Sequence, residues 1–199
     1  AMTQRIGLNQ QEHEYILMGM AAIGDPDRLY DRIKKDFIIK MPSEQDGSIF
    51  FSRTCHRGCL DWAPDLKTVQ NYADIAAAVQ RIYEEIFEGL VAFTRRITKK
   101  ENLVLMGGCA LNCSANSIAH KYCKQVWIMP NPGDAGSSLG AAALYHFEQT
   151  GNFVDWQGPY LGTDIEGKWP TNKFLDSLRK GDIFGIANGK AEFGPRALG

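Results

Sequence analysis

Apolar positions along the chain fall into runs of different kinds, and each kind predicts a different element. From Ala73 to Ile97 they recur at intervals of three and four, through Ile75, Val79, Ile82, Ile86, Leu90 and Phe93. That spacing predicts an amphipathic helix of several turns with one face toward a core. Asp74 near its start and Arg95, Arg96, Lys99 and Lys100 at its end complement the helix dipole. Such a stripe serves packing and is assigned no catalytic role. Leu103 to Met106 and Gln125 to Met129 are short continuous apolar runs, predicted as strands buried on both faces. Gly107-Gly108 closes the first and Pro130-Asn131-Pro132-Gly133 the second, while Ala115 to Tyr122 and Ala135 to Gln149 read as helices, the latter ending at Gly151. Ile183 to Ala187 is a last strand candidate.

The first third is less regular. Tyr15 to Ile23 is apolar and rich in Met, Gly and Ala, and Gly24-Asp25-Pro26 stops it. Asp27 to Ile38 reads as a short charged helix, Asp46 to Phe51 as a strand or hairpin arm, and Cys55 to Pro64 as irregular. Strand, helix, strand, helix at this spacing is an α/β pattern with neighbouring parallel strands.

Composition narrows the class. The 199 residues are 44% hydrophobic with a formal net charge of −1, which fits a globular protein and gives no electrostatic reason to expect nucleic acid or an anionic membrane as partner. No stretch approaches the roughly 18 apolar residues that span a bilayer, and no apolar signal core follows the first residues, so a cytoplasmic location is expected. Cys55, Cys59, Cys109, Cys113 and Cys123 are an odd set without a tight CxxC pair, which favours free thiols over a disulfide framework. Cys55-His56 with Cys59 suggests a metal knuckle, but zinc needs a second ligand pair that the chain does not offer. Ala1 ahead of Met2 resembles a residue left by tag removal, and the close at Gly194 to Gly199 reads as mid-loop, so a fragment is expected.

Candidate chemistry gathers at the two turns after the strands. Ligands of parallel α/β sheets bind at the carboxyl ends of the strands. In Met106-Gly107-Gly108-Cys109-Ala110-Leu111-Asn112-Cys113, paired glycines let the backbone approach a ligand where a Cβ would clash. The helix that follows offers N–H groups to an anion or ribose. Asn112 and Asn116, four apart, can present amides from one side. For a lone Gly-Gly a tight turn packing helix on strand is the favoured explanation, and no P-loop or dinucleotide fingerprint is present. In Asn131-Pro132-Gly133-Asp134-Ala135-Gly136, Asp134 stands where an N-cap would be, so capping, metal binding and substrate contact are all open to it. Arg196, near the end, can hold a phosphate or carboxylate through its planar fork. His13, His56, His120 and His146 share no ligand spacing, and Ser137 and Ser138 lack the glycines of a nucleophile elbow.

Taken in order, Met106 to Asn116, Pro132 to Gly136 and Leu139 to Ala142 resemble the carbamoyltransferases of the nodulation-protein and antibiotic-tailoring type. Glu14 to Gly24 resembles the family's segment ahead of the second half of its N-terminal domain, and Asn188 to Gly199 the opening of its YrdC-like C-terminal domain. The resemblance implies an actin-like fold of the sugar kinase and heat-shock superfamily, present here as an incomplete second subdomain. It divides the chain into 1–66 as a partly irregular lead-in, 67–170 as the nucleotide-binding subdomain, and 171–199 as linker and start of the YrdC-like domain. It also implies that carbamoyl-adenylate is made from ATP and carbamoyl phosphate and the carbamoyl group passed to a hydroxyl of a small-molecule acceptor. By motif, Gly107, Gly108, Asn112 and Asn116 contact the nucleotide and Asp134 ligates a divalent metal, iron before magnesium. The family's histidine ligands, glycine-rich hairpin and most of the YrdC-like domain have no counterpart here. The fragment is therefore expected to be inactive and nearly metal-free, and the catalytic base is unassigned. The rivals are a threonylcarbamoyl transferase acting on transfer RNA and a non-catalytic actin-like nucleotide-binding module.

Overall fold

The computed structural model describes residues 1–56, 59–165, 167–168, 170–183, 185 and 187–195. In chain order the elements are α1 (Met2–Arg5), α2 (Glu14–Met20), α3 (Tyr30–Phe37), β1 (Ile38–Lys40), β2 (Phe50–Phe51), α4 (Val69–Thr98), β3 (Asn102–Leu105), α5 (Cys113–Asn116), β4 (Gln125–Ile128), α6 (Ser137–Thr150), β5 (Tyr160–Ile165), α7 (Thr171–Lys180) and β6 (Gly189–Glu192). Short 3₁₀ turns link several of them. The architecture is mixed α/β, with three two-stranded sheets among the described residues: β1–β2, β3–β4 and β5–β6. The chain divides into two compact units, residues 1–104 with 112–127, and residues 105–111 with 128–199.

The first unit is organised by α4. Periodicity places this helix from Ala73, but it begins four residues earlier, because Thr68 and Asn71 close a reciprocal capping box. Its buried face, through Ile75, Ala78 and Ile82, joins Ile33, Phe37, Cys59 and Trp62 in one core. Phe37 meets Trp62 edge to face with ring centroids 5.4 Å apart, and the Trp62 indole N–H donates to Asp36 at 2.8 Å. Farther along, Val91, Ala119 and Cys123 form a second, smaller cluster.

Two buried charges tie loops to this frame. Arg5 is only 7% exposed and donates to the carbonyls of Trp62, Ala63 and Leu66, satisfying a loop that lacks regular partners. Asp74 corrects the sequence reading: it is no surface dipole charge but lies 1% exposed. It accepts from the Asp25 N–H at 2.9 Å and from Gln70 at 2.8 Å, and pairs with Arg28 at 2.8 Å. Gly24 fits against this anchor because a Cβ there would overlap the Ala73 carbonyl. The Gly24-Asp25-Pro26 turn is thus docked on α4, a long-range contact that helical periodicity cannot disclose.

The charged helix expected from Asp27 is α3, preceded by a 3₁₀ turn over Pro26–Arg28. Of the Asp46 to Phe51 segment only Phe50 and Phe51 form strand, pairing antiparallel with Lys40 and Ile38. The helix expected over Ala115 to Tyr122 is split into α5 and a 3₁₀ turn over Ser117–Lys121.

In the second unit α6 follows a 3₁₀ turn over Asp134–Gly136 and stops at Gly151, left-handed at φ 70°, as expected. Strands β5 and β6 pair antiparallel, Asp164 opposite Lys190 and Ile165 opposite Gly189. Neither was foreseen. Gly162 weakens the strand pattern, yet it is required: a Cβ there would crowd Ala191 on the facing strand. The strand expected over Ile183 to Ala187 lies partly on residues 184 and 186, outside the described residues, and the strand begins instead at Gly189.

Candidate functional site

Within the second unit the two glycine turns are neighbours. β3 runs out at Leu105, and Gly107 takes φ 93°, which a side chain rarely adopts. The Gly107 N–H donates to the Pro132 carbonyl at 2.7 Å, and the Gly107 carbonyl accepts from Ala110 N–H at 3.0 Å. A Cβ on Gly133 would stand 3.9 Å from Gly108 Cα. Around Gly107 and Gly108, by contrast, nothing among the described residues occupies the space a Cβ would take. The glycines therefore do two things. Gly107, at its positive φ, hydrogen-bonds one turn to the other, and Gly107 and Gly108 leave backbone that no other described residue covers, where a ligand can approach the peptide groups closely.

The second turn is pinned from behind. Asn131 and Pro132 are buried, and a Cβ on Gly136 would overlap the Asn131 carbonyl. Gly136 N–H donates to Gly133 at 3.0 Å, closing the 3₁₀ turn. Because that turn starts at Asp134, the cap position falls on Gly133, and no side chain caps it. Capping is therefore not the job of Asp134. Its carboxylate is exposed and remains available to a ligand. No group of three or more His, Cys, Asp or Glu that could hold a metal occurs among the described residues. A lone Asp134 carboxylate does not by itself make a metal centre.

Asn112 and Asn116 belong to the first unit. Asn112 caps α5, its Oδ1 accepting from Ala115 N–H at 3.1 Å. The same amide forms a reciprocal pair with Gln80 on α4, Gln80 Nε2 to Asn112 Oδ1 at 3.0 Å and Asn112 Nδ2 to Gln80 Oε1 at 2.9 Å. Asn116 is 8% exposed, one turn on, with its backbone N–H bonded to the Asn112 carbonyl at 3.0 Å. Asn112 is half-buried and Asn116 buried, so Asn112 is the more accessible of the two. Sequence reasoning missed Gln80; its signal was a polar residue next to the buried stripe of α4.

The other candidates separate from these turns. Arg196 lies outside the described residues. Cys59 is fully buried in the core of the first unit, and burial, then the neighbouring Cys59, push the Cys55 thiol up. That suits packing thiols rather than reactive ones. His56 bonds Gln11 at 3.2 Å. An apolar cavity of about 260 Å³, lined by Leu17, Ile33, Phe37, Phe51, Cys55 and Ile82 among others, contains no residue of the two glycine turns or of the amide pair. No helix among the described residues is long and apolar enough to cross a membrane.

Comparison with known proteins accords with the turns. The family model described as carbamoyltransferase N-terminus matches residues 1–143. A Synechocystis protein is 30% identical over 248 residues, covering 100% of this chain and 39% of that protein. Nodulation protein NolO of Bradyrhizobium diazoefficiens is 28% identical over 218 residues, 94% of this chain and 38% of the relative. The 3'-hydroxymethylcephem-O-carbamoyltransferase of Amycolatopsis lactamdurans is 33% identical over 141 residues, 62% of this chain and 26% of the relative. The chain thus spans less than two fifths of the length of these relatives. On the match over residues 1–143, which takes in both glycine turns and the amide pair, the chain belongs to the carbamoyltransferase family, and those residues correspond to its N-terminal domain.

Proposed function

We propose that the intact protein is an ATP-dependent O-carbamoyltransferase, in which carbamoyl phosphate and ATP yield carbamoyl-adenylate and the carbamoyl group then passes to a hydroxyl of a small-molecule acceptor. The observation that carries this reading is the paired turn: bare backbone at Gly107 and Gly108 beside Gly133, with an exposed, non-capping Asp134, in a chain of this family. Close backbone approach suits phosphates and ribose. Asn112 and Asn116 supply further nucleotide contacts, within an actin-like fold. Asp134 contributes one carboxylate to a metal, iron before magnesium, whose remaining ligands come from elsewhere in the protein. Arg196 contacts phosphate. The five unbridged thiols suit a cytoplasmic setting.

Two measurements test the reading. Mass spectrometry of the intact protein with ATP and carbamoyl phosphate is expected to show carbamoyl-adenylate; ATP binding without that product would reduce the protein to a nucleotide-binding module. The 199-residue chain by itself is expected to be inactive and nearly free of metal, and a stoichiometric metal found by elemental analysis would overturn that part.

A further inference from the structure

The amide pair between Gln80 and Asn112 carries an inference about what kind of contact Asn112 makes. Glu84 lies four residues beyond Gln80 on α4, and its Oε1 accepts from Gln80 Nε2 at 2.8 Å. An ionised carboxylate only accepts, so it fixes which end of the Gln80 amide is nitrogen. Gln80 Nε2 in turn faces Asn112 Oδ1, and Gln80 Oε1 faces Asn112 Nδ2. The Ala115 backbone N–H independently demands an oxygen at Asn112 Oδ1. The Asn112 amide is thus oriented twice, once from the side chains of α4 and once from the backbone of α5. All three side chains are half-buried, where competition from water is reduced.

The consequence is a polarity. Both bonds to Asn112 Oδ1 are internal, and one of the two Nδ2 protons is held by Gln80. Among the described residues none of these bonds takes up the second Nδ2 proton, so what Asn112 has left to offer a ligand is an N–H. We infer that Gln80 is a positioning residue that locks Asn112 as a hydrogen-bond donor, and that Asn112 serves an acceptor atom of the nucleotide: a phosphate oxygen, a ribose oxygen or a ring nitrogen. This rests on the nucleotide reading proposed above. It adds a residue on a distant helix and rules that Asn112 gives a proton rather than accepting one. A correctly oriented donor also spares the ligand the cost of reorienting the amide on binding.

The test is ATP affinity, by calorimetry on the intact protein, in four variants, with thermal melting of each as a folding control. Asn112→Asp keeps the oxygen that accepts from Gln80 Nε2 and Ala115 N–H but removes both Nδ2 protons, the one held by Gln80 Oε1 and the one offered to the ligand, and is expected to weaken ATP binding at least tenfold. Asn112→Ala is expected to weaken it by about tenfold and Gln80→Leu by about fivefold. In the double variant, Gln80→Leu is expected to add nothing to Asn112→Ala, because it acts only through that amide. A merely structural Gln80 would lower the melting temperature and leave ATP affinity unchanged, which overturns the inference. So does wild-type affinity in Asn112→Asp, or a Gln80→Leu effect that persists without Asn112. Failure of the wild-type protein to bind ATP at all would instead defeat the nucleotide reading, and this inference with it.

Discussion

The two units of this chain are held together by different means. The first, residues 1–104 with 112–127, is built on side chains: Ile33, Phe37, Ile75 and Ile82 close a core around α4, and Arg5 and Asp74 are buried with partners. The second, residues 105–111 with 128–199, is built on backbone. Its buried residues cluster at the turns, in Ala110, Met129, Asn131, Pro132 and Gly136, while α6 and α7 bury none of theirs. Tyr145, Phe153 and Ile183 stand well exposed. The difference separates stability from recognition. One unit supplies a rigid helix that can hold an amide in place, and the other presents peptide groups on a glycine scaffold with little apolar cover.

That contrast makes predictions of graded size. Ile75 is completely buried, so Ile75→Ala is expected to cost about 3–4 kcal/mol in chemical denaturation, near the upper part of the range for core truncations. A loss below about 1 kcal/mol would mean that the α4 core is not the keel of its unit. Next comes Asp74. Burial pushes its carboxyl up, but the Asp25 N–H, Gln70 and Arg28 prevail and hold it below the usual carboxylate range. The folded chain then binds fewer protons than the unfolded one. The stabilisation is complete above the unfolded value near pH 4 and is lost as pH falls through the lower native value. Asp74→Ala is expected to remove about 2–3 kcal/mol at neutral pH and to flatten the acid limb of stability against pH. An unchanged acid limb would show that Asp74 does not anchor the Gly24 turn.

Thr68→Ala opens the capping box of α4 and is expected to cost about 1 kcal/mol. The smallest effect lies in the other unit. Leu144 on α6 is 59% exposed, and Leu144→Ala is expected to change stability by no more than about 0.5 kcal/mol. A larger loss would break the comparison, since it would mean that α6 is held by side chains after all.

What the sequence disclosed follows the same division. Local signals were legible: the apolar stripe of α4, glycines after an apolar run, and the Gly151 stop of α6 all depend on residues within a few positions. The expected burial of both faces of β3 and β4 does not hold: exposed and half-buried residues alternate along each, with Val104 60% and Trp127 47% exposed. The candidate turns were found this way, and their adjacency was an inference from strand order that the Gly107–Pro132 hydrogen bond supports. Contacts between distant residues were not legible. Asp74 was read as a helix-dipole charge because nothing near it announces that Asp25, 49 positions earlier, will donate to it. Gln80 looked like any polar residue on a helix until Asn112, 32 positions on, closed the pair. Thr68 escaped notice because its box is completed by Asn71 rather than by Glu or Gln. In β5 the glycine that hides the strand is the residue its neighbour requires.

The central claim is that the bare backbone of the Gly107-Gly108 turn receives a nucleotide. Among the described residues, nothing stands within 4 Å of a Cβ placed on Gly108, so the first carbon of a side chain is accommodated there. Gly108→Val in the intact protein is the direct test, with ATP affinity and melting temperature measured together. The account predicts an unchanged melting temperature and at least tenfold weaker ATP binding, because the new side chain fills the approach. Wild-type affinity in a folded Gly108→Val protein would contradict it.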